Sequence, residues 1–251
     1  MENRDLIIGI HSIAEALNNP QRGFWKILAT NEGLNELKKR MGGKIEKAEI
    51  QVLAPHDFQQ ESQKIYRQYD FEYQRIMSGV LLECGALPDL DPNWMIEKLA
   101  KGEKLRLMCL DQVTDVHNAA AIFRTAAFYG VDAIIVSVKG VFGRSPSFAR
   151  IASGSQEYVR LIKCASLPRT LTTLKEKGVT CIGLSEHSDS TAVDSLAGVG
   201  GICLVMGAED KGLSNAVERI LDFRVALEAK GPIKTLNVSV AAALAMEKFL
   251  K

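Results

Sequence analysis

No apolar run in the 251-residue sequence approaches the roughly 20 residues that cross a bilayer, and the mean hydropathy is +0.01, so no membrane span is expected. Met1 to Asp5 is charged and leads straight into Leu6-Ile7-Ile8, so neither a signal-peptide core nor an amphipathic transit segment is expected. The expected compartment is the cytoplasm. Cysteine is sparse and odd in number: Cys84, Cys109, Cys164, Cys181 and Cys203 each lie in or beside an apolar stretch, with no C-x-x-C pair. Reduced core thiols are therefore expected rather than a disulfide framework or a zinc site. The four histidines, His11, His56, His117 and His187, form no H-x-x-x-H pair, and no metal is expected. Charge of one sign is missing too, with 31 basic and 30 acidic residues giving +1, so the whole-chain field points to no polyanionic partner.

The motifs of several enzyme classes are also absent. There is no G-x-G-x-x-G after a strand and no G-x-x-x-x-G-K-[ST], so neither a dinucleotide nor a nucleoside triphosphate finds an obvious phosphate cradle. That makes a Rossmann-type dehydrogenase remote. Hydrolase readings are poor as well, without G-x-S-x-G, a partnered Cys-His arrangement or well-placed paired carboxylates. A nucleoside ligand without phosphates needs none of these.

What is present is an ordinary globular composition, 47% hydrophobic and 24% charged, which excludes disorder and fibrous repeats. Before residue 85, short strand-like runs (Leu6 to Ile10, Trp25 to Ala29, Ile50 to Leu53, Val80 to Glu83) alternate with charged helical stretches. These predict a small α/β domain over residues 1–84. The Gly85-to-Pro92 segment carries two prolines and no periodicity, and 85–104 is read as a linker with one short helix, Asn93 to Ala100. From residue 105 to 251, apolar runs recur at Leu105 to Leu110, Ala133 to Val138, Tyr158 to Ile162, Val179 to Leu184, Ile202 to Met206 and Phe223 to Leu227. Helical stretches Asn118 to Tyr129, Leu167 to Lys177, Leu213 to Ile220 and Leu236 to Leu250 separate most of them, which predicts a mostly parallel sheet covered on both faces.

Ligands in such sheets bind beyond the carboxyl ends of the strands. Three segments stand there: Asp111 to Asn118 leading into Ala119 to Ala126, Gly207 to Ser214, and Lys234 to Ser239. Asn118 stands where a helix cap belongs, and capping alone could explain it. Arg124 lies six positions on, about 240° around and about 9 Å along a helix, so spacing alone does not join the two. Arg124 falls within the apolar stretch Ala119 to Ala127, where burial would oblige an arginine to find a partner or ligand. Gly207 to Gly212, with Glu209 between, reads equally as a tight turn or a ligand loop. Thr235 can cap the last helix, and Asn237, in its first turn, must be satisfied by something. From Lys139 to Lys175, seven basic residues, including Arg144 and Arg150, face Glu157 alone. A solvated face is the usual explanation, and a phosphate-tracking surface is the alternative.

At these three segments the sequence resembles the SpoU/TrmH-type branch of the SPOUT RNA ribose 2'-O-methyltransferases. Asp111, Asp115, Asn118, Arg124, Thr125 and Ala126 match the first motif, D-x-x-x-D-P-x-N-x-G-A-x-x-R-T-A; Gly207, Glu209, Gly212 and Leu213 match the second, G-x-E-x-x-G-[LM]; Leu236 to Ala241 match S-L-N-V-S-V-A. The front domain is similar to that of the 23S rRNA guanosine subgroup at Gly9 to Leu17. The resemblance implies a carboxy-terminal domain with a trefoil knot, S-adenosylmethionine as cofactor, a homodimer, and RNA as substrate, rRNA foremost. Among site residues it implies a leading catalytic role for Arg124, with Asn118, Glu209 and Asn237 orienting. It further implies cofactor contacts from Met206, Gly207, Val225, Leu227, Thr235 and Leu236, and RNA contacts from Lys139, Arg144 and Arg150. Val116 stands in place of proline, Ala120 of glycine, and Glu228-Ala229 of proline-methionine. A tRNA substrate and an RNA-binding relative with weakened or lost catalysis remain alternatives.

Overall fold

Alternating side chains on a strand and a 3.6-residue period on a helix build each layer here. The computed structural model describes residues 4–43, 45, 48–139, 142–185, 201–208 and 211–250. It divides into two compact units, one of residues 1–88 with 143–157 and the other of residues 89–142 with 158–251.

The first unit runs β1 (Arg4–Ile8), α1 (Ile10–Asn18), a 3-10 turn (Pro20–Arg22), β2 (Lys26–Ala29), α2 (Asn31–Arg40), β3 (Glu49–Val52), α3 (Pro55–Gln68) and β4 (Val80–Gly85). Its sheet is mixed, in the order β1-β4-β2-β3, with β4 antiparallel to β1 and β2 and β3 parallel to β2. Strand alternation divides the core. Ile7, Ile27 and Leu82 pack with Ile13, Leu34 and Leu37 of α1 and α2, whereas Leu6, Ile8, Leu28 and Leu81 pack with Phe58, Ile65 and Tyr66 of α3.

The second unit holds α4 (Asn93–Ala100), β5 (Leu105–Leu110), α5 (Val116–Phe128) and β6 (Ala133–Ser137). The chain then contributes α6 (Pro146–Ala152) and a 3-10 turn (Ser155–Glu157) to the first unit. It returns as β7 (Arg160–Cys164), α7 (Leu167–Glu176), β8 (Val179–Leu184), β9 (Gly201–Met206), α8 (Asn215–Glu218), β10 (Phe223–Val225) and α9 (Val238–Phe249).

All pairings in this six-stranded sheet, order β10-β8-β9-β5-β6-β7, are parallel. The inner strands are buried on both sides, as the near-continuous apolar runs require: Leu105, Leu107 and Cys109 share one core with α4, α7 and α8, and Met108 and Leu110, of opposite parity, are buried as well. Helix α9 packs along α5 and on β9.

Several boundaries differ from the sequence reading for physical reasons. Strand β7 sits two residues later than expected, because Tyr158 is 63% exposed and the paired register begins at Arg160. The final strand stops at Val225 instead of Leu227, where pairing with β8 ends at Leu184. Helix α6 lies inside the basic run, where no element was expected; Ser145 caps it by accepting from the Phe148 N–H, and Pro146 sits at its first turn.

Candidate active site

The parallel strands deliver their carboxyl ends to one edge of the second unit, and there a cavity of about 610 Å³ opens. Leu184 and Ser185 come from the end of β8, Met206 and Gly207 from β9, Val225 and Leu227 from β10 and its exit. Leu236, Val238, Ala241 and Leu244 complete the apolar wall. Such a volume falls within the range of small-molecule sites.

Gly207 and Ala208 lie close against Gly212 and Leu213. Ala208 and Gly212 exchange backbone hydrogen bonds (3.1 and 2.8 Å). A Cβ added at Gly207 would lie 2.2 Å from the Gly212 carbonyl carbon, so only glycine permits this closure. Asp111, buried at the end of β5, accepts from the Ser214 N–H at 2.7 Å and ties the loop's exit to the neighbouring strand.

Two helices start at the site. Asp115, not Asn118, caps α5: its carboxylate accepts from the Asn118 N–H at 2.7 Å, placing Asn118 in the first turn. Asn237, not Thr235, caps α9, its Oδ1 accepting from Ser239 N–H at 2.9 Å and from Ser239 Oγ–H at 2.5 Å. The Asn237 amide donates to Asn118 Oδ1 at 2.9 Å, so the starts of α5 and α9 are joined side chain to side chain. This bond answers what satisfies Asn237.

Arg124 is exposed, which corrects the expectation of burial. Ala119, Ala120, Ile122, Phe123 and Ala126 form the buried face of α5, and position 124 falls outside that stripe. Among the described residues no ion pair engages it. A charged guanidinium is thus presented from the helix whose first turn carries Asn118.

Of the expected cofactor contacts, Met206, Gly207, Val225, Leu227 and Leu236 line the cavity, and Thr235 is exposed and does not. Glu209 lies outside the described residues. Lys139 is exposed in the second unit, while Arg144 and Arg150 belong to the first, where Arg144 donates to the Leu87 carbonyl at 3.0 Å. The basic run is partly neutralised internally, since Lys163 pairs with Asp89 at 2.7 Å and Lys175 with Asp222 at 2.9 Å. Sequence reasoning overlooked Leu184 and Ser185, although they obey the same carboxyl-end rule, and it overlooked the rim charges Lys211, Glu218, Lys230 and Lys234. At that rim Lys230 bonds Glu228 at 2.6 Å, and this hydrogen bond and charge hold the Glu228 carboxyl below its ordinary range.

Residues 106–247 match the model of the SpoU rRNA Methylase family. The chain belongs to the SpoU family. A relative in that company, the 23S rRNA (guanosine-2'-O-)-methyltransferase RlmB of Pseudomonas aeruginosa, is 32% identical over 190 residues, 75% of this chain and 76% of its own length. RlmB of Shewanella oneidensis is 30% identical over 250 residues, 98% of this chain and 96% of its own. The SpoU fold extends over the whole chain: the SpoU methyltransferase AviRb from Streptomyces viridochromogenes, solved in complex with AdoMet, superposes with a TM-score of 0.75 at 19% identity, covering 99% of this chain and 90% of AviRb. Among the described residues, no group of three or more metal-ligating side chains and no helix long and apolar enough to cross a membrane is found.

Proposed function

We infer that the protein is an S-adenosylmethionine-dependent RNA ribose 2'-O-methyltransferase acting on a guanosine of 23S rRNA. The observation that carries this reading is the apolar, glycine-closed cavity at the carboxyl ends of β8, β9 and β10, beside the Asn118–Asn237 bond. The residues present fit the cofactor. Its adenosine and methionine parts carry no phosphate, and the cavity offers apolar walls from Met206, Val225, Leu227 and Leu236, backbone at the Gly207 loop, and no phosphate cradle. When bound, S-adenosylmethionine supplies an activated methyl group on a sulfonium.

The chain's own residues supply position and charge. The 2'-hydroxyl must lose its proton as it attacks, and negative charge grows on that oxygen. A guanidinium is a poor proton acceptor by its chemistry; that of Arg124 stabilises the developing alkoxide and pins a neighbouring phosphate. Asn118 and Asn237 hold the starts of their helices in register around the reacting ribose, and an orienting role is assigned to Glu209 as well. Lys139, Arg144 and Arg150 contact the RNA backbone. The protein works in the cytoplasm as a homodimer with a knotted carboxy-terminal domain. Val240 and Leu244, one turn apart on α9 and each about half exposed, together with Phe128 of α5, supply apolar surface for the partner.

One observation favours a second reading, an RNA-binding relative without catalysis: the Glu228–Lys230 pair on the cavity rim. Titration calorimetry with S-adenosylmethionine and S-adenosylhomocysteine separates the two. Saturable binding supports the enzyme, and absence of binding by folded protein supports the relative. With labelled cofactor, rRNA and tRNA are then compared as methyl acceptors, and transfer confined to tRNA would overturn the rRNA assignment. Arg124→Ala is expected to lower transfer by about 10²–10³-fold with the fold intact. Undiminished transfer would remove Arg124 from the mechanism.

A further inference from the structure

Among the described residues, five charged side chains line the cavity, three lysines (Lys211, Lys230, Lys234) against two glutamates (Glu218, Glu228). Both glutamates already have cationic partners: Glu228 bonds Lys230 at 2.6 Å, and Glu218 accepts from Arg224 at 2.9 Å. Lys211 and Lys234 are left, both exposed and with no ion pair among the described residues. They come from different loops. Lys211 stands beside Gly212, whose N–H closes the 207–213 loop on the Ala208 carbonyl, and Lys234 stands three residues before Asn237, which caps α9 and holds Asn118. Two cations that no carboxylate among the described residues pairs with stand on the two segments that bound the cavity, one of them next to the Asn118–Asn237 junction.

We propose that Lys211 and Lys234 together form an oxyanion-binding rim that grips a phosphodiester of the RNA adjacent to the methylated ribose. The inference rests on the methyltransferase reading and deepens it. An ammonium on a flexible stem suits a phosphate as a point charge. Ammonium groups at these two positions also suit an anion better than they suit a cofactor that is itself cationic at sulfur. The cofactor does carry one oxyanion, its carboxylate, and the test must tell the two sources apart.

Binding of a fluorescein-labelled oligouridylate to the full chain is measured by anisotropy across a range of salt, and S-adenosylmethionine and 5'-methylthioadenosine, which lacks the carboxylate, are titrated by calorimetry. Lys211→Ala and Lys234→Ala are each expected to weaken RNA binding by roughly three- to tenfold near 0.1 M salt and to reduce the slope of log K against log salt by about 0.7, with both reductions adding in the double variant. Lys101→Ala, exposed and outside the cavity, is the charge control and is expected to leave the slope unchanged. If the variants instead lose affinity for S-adenosylmethionine alone, keeping that for methylthioadenosine and the RNA slope, the rim holds the carboxylate and the phosphate assignment is overturned. Wild-type protein that binds RNA and cofactor while the variants match it in every titration would overturn the rim and leave the enzyme reading standing. Wild-type protein that binds neither would overturn the enzyme reading itself.

Discussion

Asn237 does two things with one amide: its oxygen caps α9 and its nitrogen reaches Asn118. The two are separable by substitution. Asn237→Asp keeps the acceptor at the cap and loses the donor, whereas Asn237→Ala loses both. Urea unfolding is expected to show Asn237→Ala destabilised by about 1 kcal/mol and Asn237→Asp close to wild type, with methyl transfer reduced in both. Equal stability of all three would show that the cap contributes nothing. The sequence showed that Asn237 needed a partner but not which one, because the partner is 119 residues away and a single chain's spacing carries no information at that range. Arg124 shows the opposite case. Its exposure was legible, since the alanines and aromatics around it mark a stripe that position 124 leaves, but the apolar average of the stretch hid the periodicity.

At the scale of elements, the strands of the second unit were plain from sequence because parallel strands buried on both faces must be apolar throughout. Helix α6 was not, being only seven residues long and embedded in a run whose charge drew attention from its Ser-Pro start. Its place in the first unit is secured from the middle and from the carboxyl end of the 143–157 segment. Ser12 donates to the Ala149 carbonyl at 2.6 Å in the buried interior. Glu157 receives the Arg22 guanidinium at 2.7 and 3.0 Å and the Asn19 amide at 2.8 Å, and Arg22 also bonds Asp5 and the Gly85 carbonyl. Burial works against the Arg22 charge, but the Glu157 hydrogen bonds and the nearby carboxylates outweigh it and hold the guanidinium above its ordinary range. Removing the Glu157 charge leaves the guanidinium, wholly out of water, with Asp5 as its one carboxylate partner among the described residues. Glu157→Gln is therefore expected to cost about 3–5 kcal/mol in denaturant unfolding, and Arg22→Met combined with Glu157→Leu less than Glu157→Gln alone. A double variant as unstable as the sum of its singles would mean that the two side chains are not energetically coupled, and would overturn the account.

Over the whole molecule, the composition said that the cysteines would be buried, and they are, in both units: Cys84 in the first and Cys109, Cys164, Cys181 and Cys203 in the second. What composition could not say is where the two units divide. The sequence marks one linker by its prolines, yet the 143–157 segment changes unit without such a signal, because what decides it is burial of Phe148 and Ala149 and the Glu157 contacts rather than local chain stiffness. The buried acids have a consequence for pH. Burial pushes the Cys84 thiol from 9.0 up to about 12 and the Tyr66 phenol from 10.0 up to about 12. Tyr69, partly buried and beside Glu83, is raised too, as are Cys109 by burial and Cys203 by its hydrogen bond with Cys181 and by burial. In each case the folded state keeps a proton that the unfolded chain releases. Stability from these groups is thus fully present below the unfolded values of 9.0 and 10.0 and is lost as pH rises toward about 12. Each group that has ionised only in the unfolded chain contributes a decline of about 1.4 kcal/mol per pH unit. Urea unfolding under reducing conditions is expected to show a level plateau from neutrality to about pH 9 and a steep fall beyond it, shallower in Cys84→Ala by the slope of one group. A plateau that continued unchanged through about pH 11 would mean that these side chains ionise in the folded protein as readily as in water, and that the core around Cys84 and Tyr66 admits solvent.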